Sequence, residues 1–164
     1  RHPHVFGNVN ADTTEQVLKN WDTIKMQTKE QKTQTQAMES VSRALPSLMR
    51  SSKVQQKAAK VGFDWGNAED ALTKLYEECD ELKEAISKGD TDNQYEELGD
   101  VLFSAVNVAR LLKIDSEHAL YDACDKFIGR FSKVEALAKE RGIDMKSATL
   151  SELDSLWDEV KIKE

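Results

Sequence analysis

The chain has 164 residues, a charged fraction of 32% and a net charge of -7, with only 7 glycines and 2 prolines. This length suits one domain with its own core, the scarcity of turn residues argues against an all-β fold, and the acidic balance disfavours nonspecific nucleic-acid binding. Because no apolar run approaches the ~20 residues of a membrane span and no signal peptide is evident, we expect a cytoplasmic protein without membrane or nucleic-acid partners.

The first part of the chain is predicted to be separate from the rest. It begins RHPHVFG without an initiating Met, which indicates a piece of a longer protein. A capping box, Thr13-x-x-Gln16, precedes a helical stripe that includes Trp21. From Thr28 to Ser40 the sequence is polar and rich in Gln and Thr, which predicts a mobile linker or fraying helix ends. We therefore divide the chain into residues 1–40 and a helical domain over residues 41–164.

The remainder is predicted to be all-α. Cap residues such as Asn67, Gly89 and Gly142 separate the helical patterns. Short connections predict an antiparallel helical bundle, and an incomplete set of helices suggests completion by dimerisation. The predicted helices are Ser47 to Val61, roughly 68–88, about 94–113, 116 to about 140, and Ser151 through Trp157.

Apolar positions predict which faces are buried. The stretch VLFSAVNVARLL is apolar on nearly every face, so its helix is expected to lie centrally. Phe63 and Trp65, in the loop GFDWG, are expected to be buried anchors. Cys79 and Cys124 have apolar neighbours and form no CxxC pair, which predicts core thiols in a reducing compartment. The core stripe of the helix at 68–88 is expected to contain Leu72, Leu75, Tyr76, Cys79, Leu82 and Ile86.

Two acidic clusters, Glu77-Glu78-x-x-Glu81 and Glu96-Glu97-x-x-Asp100, lie on adjacent predicted helices. Like charges at these spacings destabilise a helix. If the two helices pack antiparallel, four carboxylates converge, and their repulsion requires a compensating cation. Mg²⁺ takes oxygen ligands and leaves positions open for substrate phosphates. The four converging residues are Glu78, Glu81, Glu97 and Asp100.

These acids also fit two other interpretations, a solvated helix face and a di-iron site. Acids on helices usually form a solvated face, and EExxE alone is a common pattern. A di-iron bundle requires Glu-x-x-His motifs. None is present in the sequence, where His118 lies in a different predicted helix.

Longer segments resemble a known family. The segments KLYEECDEL, YEELGDVLFSAVNVARLL, DKFIGRFSKVE and LDSLWDEVK are similar to the C-terminal catalytic repeat of MazG proteins, the all-α nucleoside triphosphate pyrophosphohydrolases. KAAKVGFDW resembles the lead-in to that repeat. RHPHVFG and the W-x-x-I-K that follows resemble the end of the first repeat, so the resemblance implies that residues 1–40 are a remnant of it. The resemblance covers nearly the whole chain.

The resemblance implies an activity and a set of site residues. MazG proteins hydrolyse nucleoside triphosphates to the monophosphate and pyrophosphate with Mg²⁺, and are usually dimers or higher oligomers. It leaves open whether Glu77 or Glu81 handles the attacking water. Asn93 stands where a basic residue is expected. The implied roles are metal ligation by Glu78, Glu81, Glu97 and Asp100; nucleotide contacts by Lys74, Glu77 and Glu96; phosphate binding by Lys126 and Arg130; and further nucleotide contacts by Trp157 and Lys161.

One alternative function stays open at this point: a catalytically inactive helical module that binds nucleotides or proteins. A complete set of four acids with Lys126 and Arg130 favours the enzyme, because a decayed enzyme is expected to have lost at least one of them. The sequence does not specify the base, the sugar or the physiological substrate.

Overall fold

The computed structural model of the chain describes residues 33–162, which form six α-helices and no β-strand. The all-α prediction is therefore confirmed for this part of the chain. None of its helices combines the length and the apolar character needed to cross a bilayer. The helices are α1 (Gln34–Glu39), α2 (Ser47–Ala59), α3 (Ala68–Lys88), α4 (Thr91–Leu111), α5 (Ser116–Glu140) and α6 (Leu150–Ile162).

The helices begin at side chains that accept hydrogen bonds from unpaired backbone N–H groups. Asn67 accepts from the Asp70 N–H at 2.8 Å, and Asp115 accepts from the N–H groups at the start of α5. The last helix begins earlier than predicted, because Thr149 rather than Ser151 caps it. Thr149 and Glu152 form a capping box, in which the Thr149 N–H donates to Glu152 Oε2 at 2.8 Å.

Four helices end in a residue with positive φ. Glycine occupies this position after α2, α3 and α5, at Gly62, Gly89 and Gly142, and the ends at Gly89 and Gly142 were predicted from their glycines. After α4 the same position is Lys113, with φ of 60°. The Lys113 and Ile114 N–H groups donate to Arg110 and Ala109 carbonyls at 3.1 and 2.8 Å, which is the usual pattern of a left-handed helix end.

The chain divides into two compact units, residues 1–114 and 115–164, which are described separately. In the first, α3 and α4 form an antiparallel hairpin across the Gly89–Asp90 turn, and Gln94 Nε2 donates to the Ala85 carbonyl at 3.2 Å. Helix α2 packs on α4, where Gln55 Nε2 donates to the Phe103 carbonyl at 2.8 Å.

Part of the predicted polar linker is a short helix, α1. Thr33 and Gln36 form its capping box, and Ala37 is buried. The Gln34 side chain donates to the Lys57 carbonyl of α2. Local capping and one small buried residue thus stabilise a segment that has almost no large apolar side chains. The domain boundary at residue 40 stays a prediction, and the features predicted before residue 33 lie outside the described residues.

The buried face of α3 is not the predicted one. Ala71, Glu78 and Ala85 are buried, seven residues apart along the helix. Tyr76, Ile86 and Cys79, which belong to the predicted core stripe, are exposed. The helical period was correct, and Leu72, Leu75 and Leu82 of the stripe are half-buried, but its other three members face away from the described part of the chain. The prediction of buried thiols was wrong for the same reason, since Cys124 is exposed as well.

Helix α4 is also less buried than its composition predicted. Val106 is its only fully buried residue among those described, and Leu102 and Phe103 are 51% and 41% exposed. Two helices, α2 and α3, pack on α4, and they cover only part of its circumference. Among the described residues, α4 is therefore not the central, buried helix that was predicted.

The second unit has a conventional core. Val134 and Ala138 on α5 are buried with Leu156 and Val160 on α6, and Trp157 packs at the edge of this cluster. At the surface, Arg141 donates to Glu159 at 2.6 Å.

Candidate active site

The α3–α4 hairpin brings together three of the predicted metal ligands. Glu78 and Glu81 lie one turn apart on α3, and Glu97 faces them from α4. Each offers a carboxylate oxygen, and these three atoms lie within 4.8 Å of one another. Glu78 is buried, Glu97 is half-buried and Glu81 is exposed. The cluster is therefore open on one side, where a small ligand has access.

The electrostatics of the cluster are those of crowded anions. Partial burial raises the pKa of Glu97 above its ordinary value, and the negative charges of Glu81, Glu78 and Asp100 add to this effect. Asp100, the fourth predicted ligand, is exposed and lies one turn from Glu97 on α4. It is not part of the group of three, but it contributes charge to the same site. Such a site favours a bound cation over a further anion.

Lys74 is the cation that the described part of the chain places closest to these acids. Its ammonium lies 2.8 Å from Glu78 Oε1 and 3.4 Å from Glu77 Oε2. The hydrogen bond to Glu78 is the main reason that the pKa of Lys74 is raised well above its ordinary value. Lys74 thus fixes the buried Glu78 carboxylate in place.

The donor set fits a hard divalent cation. Oxygens around octahedral Mg²⁺ lie ~3–4 Å apart, since each is ~2.0–2.1 Å from the ion. The observed separation, within 4.8 Å, requires only small side-chain rotations to reach that geometry. All three donors are carboxylates, which Mg²⁺ prefers to nitrogen or sulfur ligands. The residues that would hold the ion are Glu78, Glu81 and Glu97.

The remaining predicted residues of the first unit flank the cluster. Glu77 and Glu96 are exposed, and each precedes a carboxylate of the group of three. Asn93 lies in the first turn of α4, and its N–H donates to Asp90 Oδ1 at 3.2 Å. Its side chain carries no positive charge, so it cannot replace a basic phosphate contact.

The other predicted contacts belong to the second unit. Lys126 and Arg130 lie one turn apart on α5, where Lys126 is exposed and Arg130 is half-buried. Lys161 is exposed on α6. Trp157 is half-buried, and its ring lies 5.1 Å from that of Phe127. This contact gives Trp157 a packing role within its own unit in addition to any contact with a ligand.

A cavity of about 510 Å³ in the first unit was not predicted. It lies between α2, α4 and the loop that precedes α3. Phe63 and Trp65 line it and are 82% and 43% exposed, so the prediction of buried anchors was wrong. Gln55 lines it as well and is buried. The one sequence signal of this cavity was Asn107, a lone amide in an apolar run, which accepts hydrogen bonds from Arg110 at 3.0 and 2.7 Å.

Comparison with known proteins identifies the segment that carries the acids. Residues 67–135 match the MazG nucleotide pyrophosphohydrolase domain. The chain is 40% identical over 166 residues to the nucleoside triphosphate pyrophosphohydrolase of Escherichia coli K12, with 100% of this chain and 63% of that protein covered. It is 38% identical over 161 residues to the nucleoside triphosphate pyrophosphohydrolase/pyrophosphatase MazG of Thermotoga maritima, with 98% of this chain and 60% of that protein covered.

A third relative is the uncharacterized protein YabN of Bacillus subtilis, 41% identical over 162 residues, of which the match covers 33%. The resemblance drawn from the sequence is therefore confirmed. The chain spans less than two thirds of the length of these relatives.

Proposed function

We propose that this chain, which is similar throughout to MazG proteins, hydrolyses nucleoside triphosphates to the nucleoside monophosphate and pyrophosphate with Mg²⁺. The observation that carries the proposal is the group of Glu78, Glu81 and Glu97, whose oxygens lie within 4.8 Å of one another. All three residues fall inside the segment that matches the MazG domain. The Escherichia coli and Thermotoga maritima relatives, both nucleoside triphosphate pyrophosphohydrolases by name, supply the reaction class.

The metal site would consist of Glu78, Glu81, Glu97 and Asp100. Bound Mg²⁺ would neutralise the triphosphate and lower the pKa of a coordinated water. The contact between Lys74 and Glu78, at 2.8 Å, holds one ligand in a fixed position before the ion binds. Such preorganisation reduces the reorganisation needed on substrate binding.

An acidic side chain near the metal must orient the attacking water or accept its proton. Glu77 and Glu81 are both exposed and both lie within one turn of Glu78. Glu81 belongs to the group that would hold the ion, whereas Glu77 does not. Glu77 is therefore our first candidate for the proton acceptor, although its oxygen lies 3.4 Å from the Lys74 ammonium.

The phosphate and nucleotide contacts are assigned by resemblance. Lys126 and Arg130 are proposed to bind the triphosphate, and the spacing of four residues on α5 places both on one helix face. Lys74, Glu96, Trp157 and Lys161 are proposed to contact the rest of the nucleotide. Asn93 offers no charge, so we propose that Lys126 and Arg130 supply the main positive charge for the substrate.

We also propose that the chain acts as a cytoplasmic homodimer. On α3, Tyr76 and Ile86 are 62% and 60% exposed. On α4, Leu98 and Leu102 are exposed as well. Exposed apolar side chains at this density are typical of a protein–protein interface. A second copy offers the same face, and a two-fold axis lets identical faces pair.

The proposal is tested by measuring pyrophosphate release from a panel of ribo- and deoxynucleoside triphosphates, with Mg²⁺ and with EDTA. We expect equimolar monophosphate and pyrophosphate that require Mg²⁺. Release of orthophosphate would mean that a different bond is cleaved. Absence of turnover with every substrate would favour the inactive binding module instead.

A further inference from the structure

The cavity beside α4 has the composition of a ligand pocket rather than of a packing defect. Its volume of about 510 Å³ falls within the ~300–1,000 Å³ of small-molecule sites. Phe63, Trp65 and Phe103 supply aromatic wall, while Gln55 and Asn107 supply polar groups. A few polar groups in a mostly apolar wall are typical of sites that orient one planar ligand.

Gln55 is the polar group that packing alone does not explain. It is 6% exposed, and its Nε2 donates to the Phe103 carbonyl at 2.8 Å. Its Oε1 is buried and accepts no hydrogen bond from any residue between 33 and 162. An unpaired buried acceptor costs free energy, so its presence indicates a missing donor. A carbonyl oxygen can only accept a hydrogen bond, so the Gln55 atom that contacts the Phe103 carbonyl must be the amide nitrogen. The unpaired atom of the Gln55 side chain is therefore its oxygen.

A second amide lies on the same turn of α4. In an α-helix the Asn107 N–H donates to the Phe103 carbonyl, which is also the acceptor for Gln55. Asn107 Oδ1 accepts two hydrogen bonds from Arg110, so its NH₂ group is directed away from that partner. No described residue is recorded as accepting from this NH₂ group. An acceptor on α2, Gln55 Oε1, and a donor on α4, the Asn107 amide, thus both line the cavity.

The loop that forms the opposite wall is tied to the same turn. Arg110 Nη1 donates to Asp64 Oδ2 at 3.1 Å, and a second hydrogen bond joins Arg110 Nη2 to Asp64 Oδ1. The two side chains are 11% and 25% exposed. This bidentate salt bridge holds Asp64 in place and thereby positions the next residue, Trp65, on the wall of the cavity. The arginine charge is neutralised, so the pocket does not favour an anion.

The cavity and the acid cluster share one helix. Asp100 and Asn107 are seven residues apart on α4, which places them on nearly the same face about 10 Å apart along the axis. Phe103 lies between them in the sequence. A ligand with phosphates at the acids and a planar ring in the cavity would thus lie along α4.

From these observations we propose that the cavity binds the nucleobase of the triphosphate, and that Gln55 Oε1 accepts a hydrogen bond from a base N–H group. This inference rests on the proposed function, because it assumes that the substrate is a nucleotide. Gln55 Oε1 and the Asn107 NH₂ group, one acceptor and one donor lining the same cavity, match the donor and acceptor that every nucleobase presents on its pairing edge. Gln55 is then a specificity residue, remote from the bond that is cleaved.

The first experiment replaces Gln55 with Met, which keeps the unbranched shape and removes both polar groups. We expect kcat/KM for the preferred nucleotide to fall about 10- to 100-fold. Gln56→Met is the matched control, because Gln56 is exposed on the same helix and donates only to Ser52. Competitive inhibition by inorganic tripolyphosphate, which has no base, should be equal in both variants and in the unaltered chain.

A second experiment needs no variant and separates the two proposals. The preferred nucleotide is compared with an analogue in which the pairing-edge N–H groups are methylated. If Gln55 Oε1 accepts a hydrogen bond from one of those N–H groups, methylation lowers kcat/KM of the unaltered chain about as much as Gln55→Met does. The Gln55→Met variant then hydrolyses the two nucleotides with equal kcat/KM. Normal Mg²⁺-dependent turnover with no effect of methylation or of Gln55→Met would overturn this inference and leave the proposed function intact.

If the unaltered chain turns over no nucleotide, the proposed function fails, and binding in EDTA tests the pocket alone. Calorimetric titration would compare a nucleoside monophosphate with ribose 5-phosphate. Binding of the monophosphate only, weakened by Gln55→Met, would support the pocket. Equal binding of both ligands, or binding of neither, would overturn it.

Discussion

The two helical hairpins of the chain, α3–α4 and α5–α6, use burial in opposite ways. Between α5 and α6 the buried residues are apolar, with Leu156 2% exposed. On α3 the buried residues are two alanines and Glu78, while Tyr76 and Ile86 remain exposed. The first arrangement gives stability by removing apolar surface from water. The α3–α4 arrangement buries less apolar surface, but it places the Glu78 carboxylate where it can bind a cation.

The pKa values of one carboxylate in each hairpin are shifted in opposite directions. Burial and neighbouring acids raise the pKa of Glu97. Hydrogen bonds from the Thr149 N–H and hydroxyl lower the pKa of Glu152. One acid is thus held in a repulsive site, and the other in a stabilising helix cap. Acids that destabilise the fold are the ones that we expect to act on a ligand.

The largest expected effect comes from Glu78. Glu78→Gln removes a charge from the metal site and should lower kcat/KM about 10³-fold or more, since several kcal/mol of transition-state stabilisation depend on the ion. Steady-state kinetics with Mg²⁺ would measure it. Glu84→Gln is the control, because Glu84 lies on the same helix and pairs with Lys88 at 2.6 Å outside the cluster. Comparable activity in both variants would contradict the metal assignment.

The next effect concerns the apolar core of the α5–α6 hairpin. Leu156→Ala leaves a cavity at the most buried leucine and should lower the free energy of unfolding by about 3 kcal/mol. Leu150→Ala, at a leucine 83% exposed on the same helix, should change it by less than about 0.5 kcal/mol. Chemical denaturation would measure both variants. A small effect at Leu156 would mean that this hairpin does not depend on its core.

A substitution at Glu97 should raise stability and lower activity. Glu97→Gln relieves repulsion within the cluster, so we expect a higher midpoint of thermal unfolding in EDTA together with a loss of turnover. Added Mg²⁺ should stabilise the unaltered chain more than the variant. Glu96→Gln makes the same charge change at an exposed neighbour and should have a smaller effect. If Glu97→Gln lowers the midpoint in EDTA, the cluster is not repulsive.

Glu152 should make stability depend on pH. Its pKa in the folded chain lies below the ordinary value of 4.5, so its ionised form stabilises the fold above that pH, and this contribution disappears as the pH falls through the folded pKa. Glu152→Gln should therefore be less stable than the unaltered chain at pH 7, and the difference should shrink as the pH is lowered through the folded pKa. Asp154→Asn, at an exposed acid on the same helix, should show a smaller dependence in the same denaturation series.

The smallest effect is expected at the end of α4. Lys113 adopts a φ of 60°, which costs about 1 kcal/mol for a residue with a Cβ. Lys113→Gly should raise the free energy of unfolding by up to about that amount, partly offset by the greater freedom of glycine in the unfolded chain. Gly89→Ala at the equivalent end of α3 should lower it. Equal changes of one sign in both variants would rule out backbone strain as the cause.

The helices themselves were predictable because local signals specify them. Asn67 and Asp115 cap helices within a few residues, and Gly89 and Gly142 mark helix ends through their φ values of 69° and 68°. The acid cluster was predictable as well, because helical spacing and one short turn decide which carboxylates face each other.

What the sequence did not specify is which apolar face of each helix finds a partner. The stripe of Tyr76, Cys79 and Ile86 has the correct period, but period alone does not say whether the covering surface lies in the same chain. The cavity was missed because Gln55 and Phe103 are 48 residues apart and meet only through tertiary packing. Phe63 and Trp65 have the composition of anchors, yet they line an open cavity.

The most direct test of the central claim is hydrolysis of a nucleoside triphosphate in ¹⁸O-labelled water with Mg²⁺, followed by mass spectrometry of both products. If water attacks the α-phosphorus at the site of Glu78, Glu81 and Glu97, one labelled oxygen appears in the nucleoside monophosphate and none in the pyrophosphate. Label in the pyrophosphate would place the attack at the β-phosphorus and contradict the account.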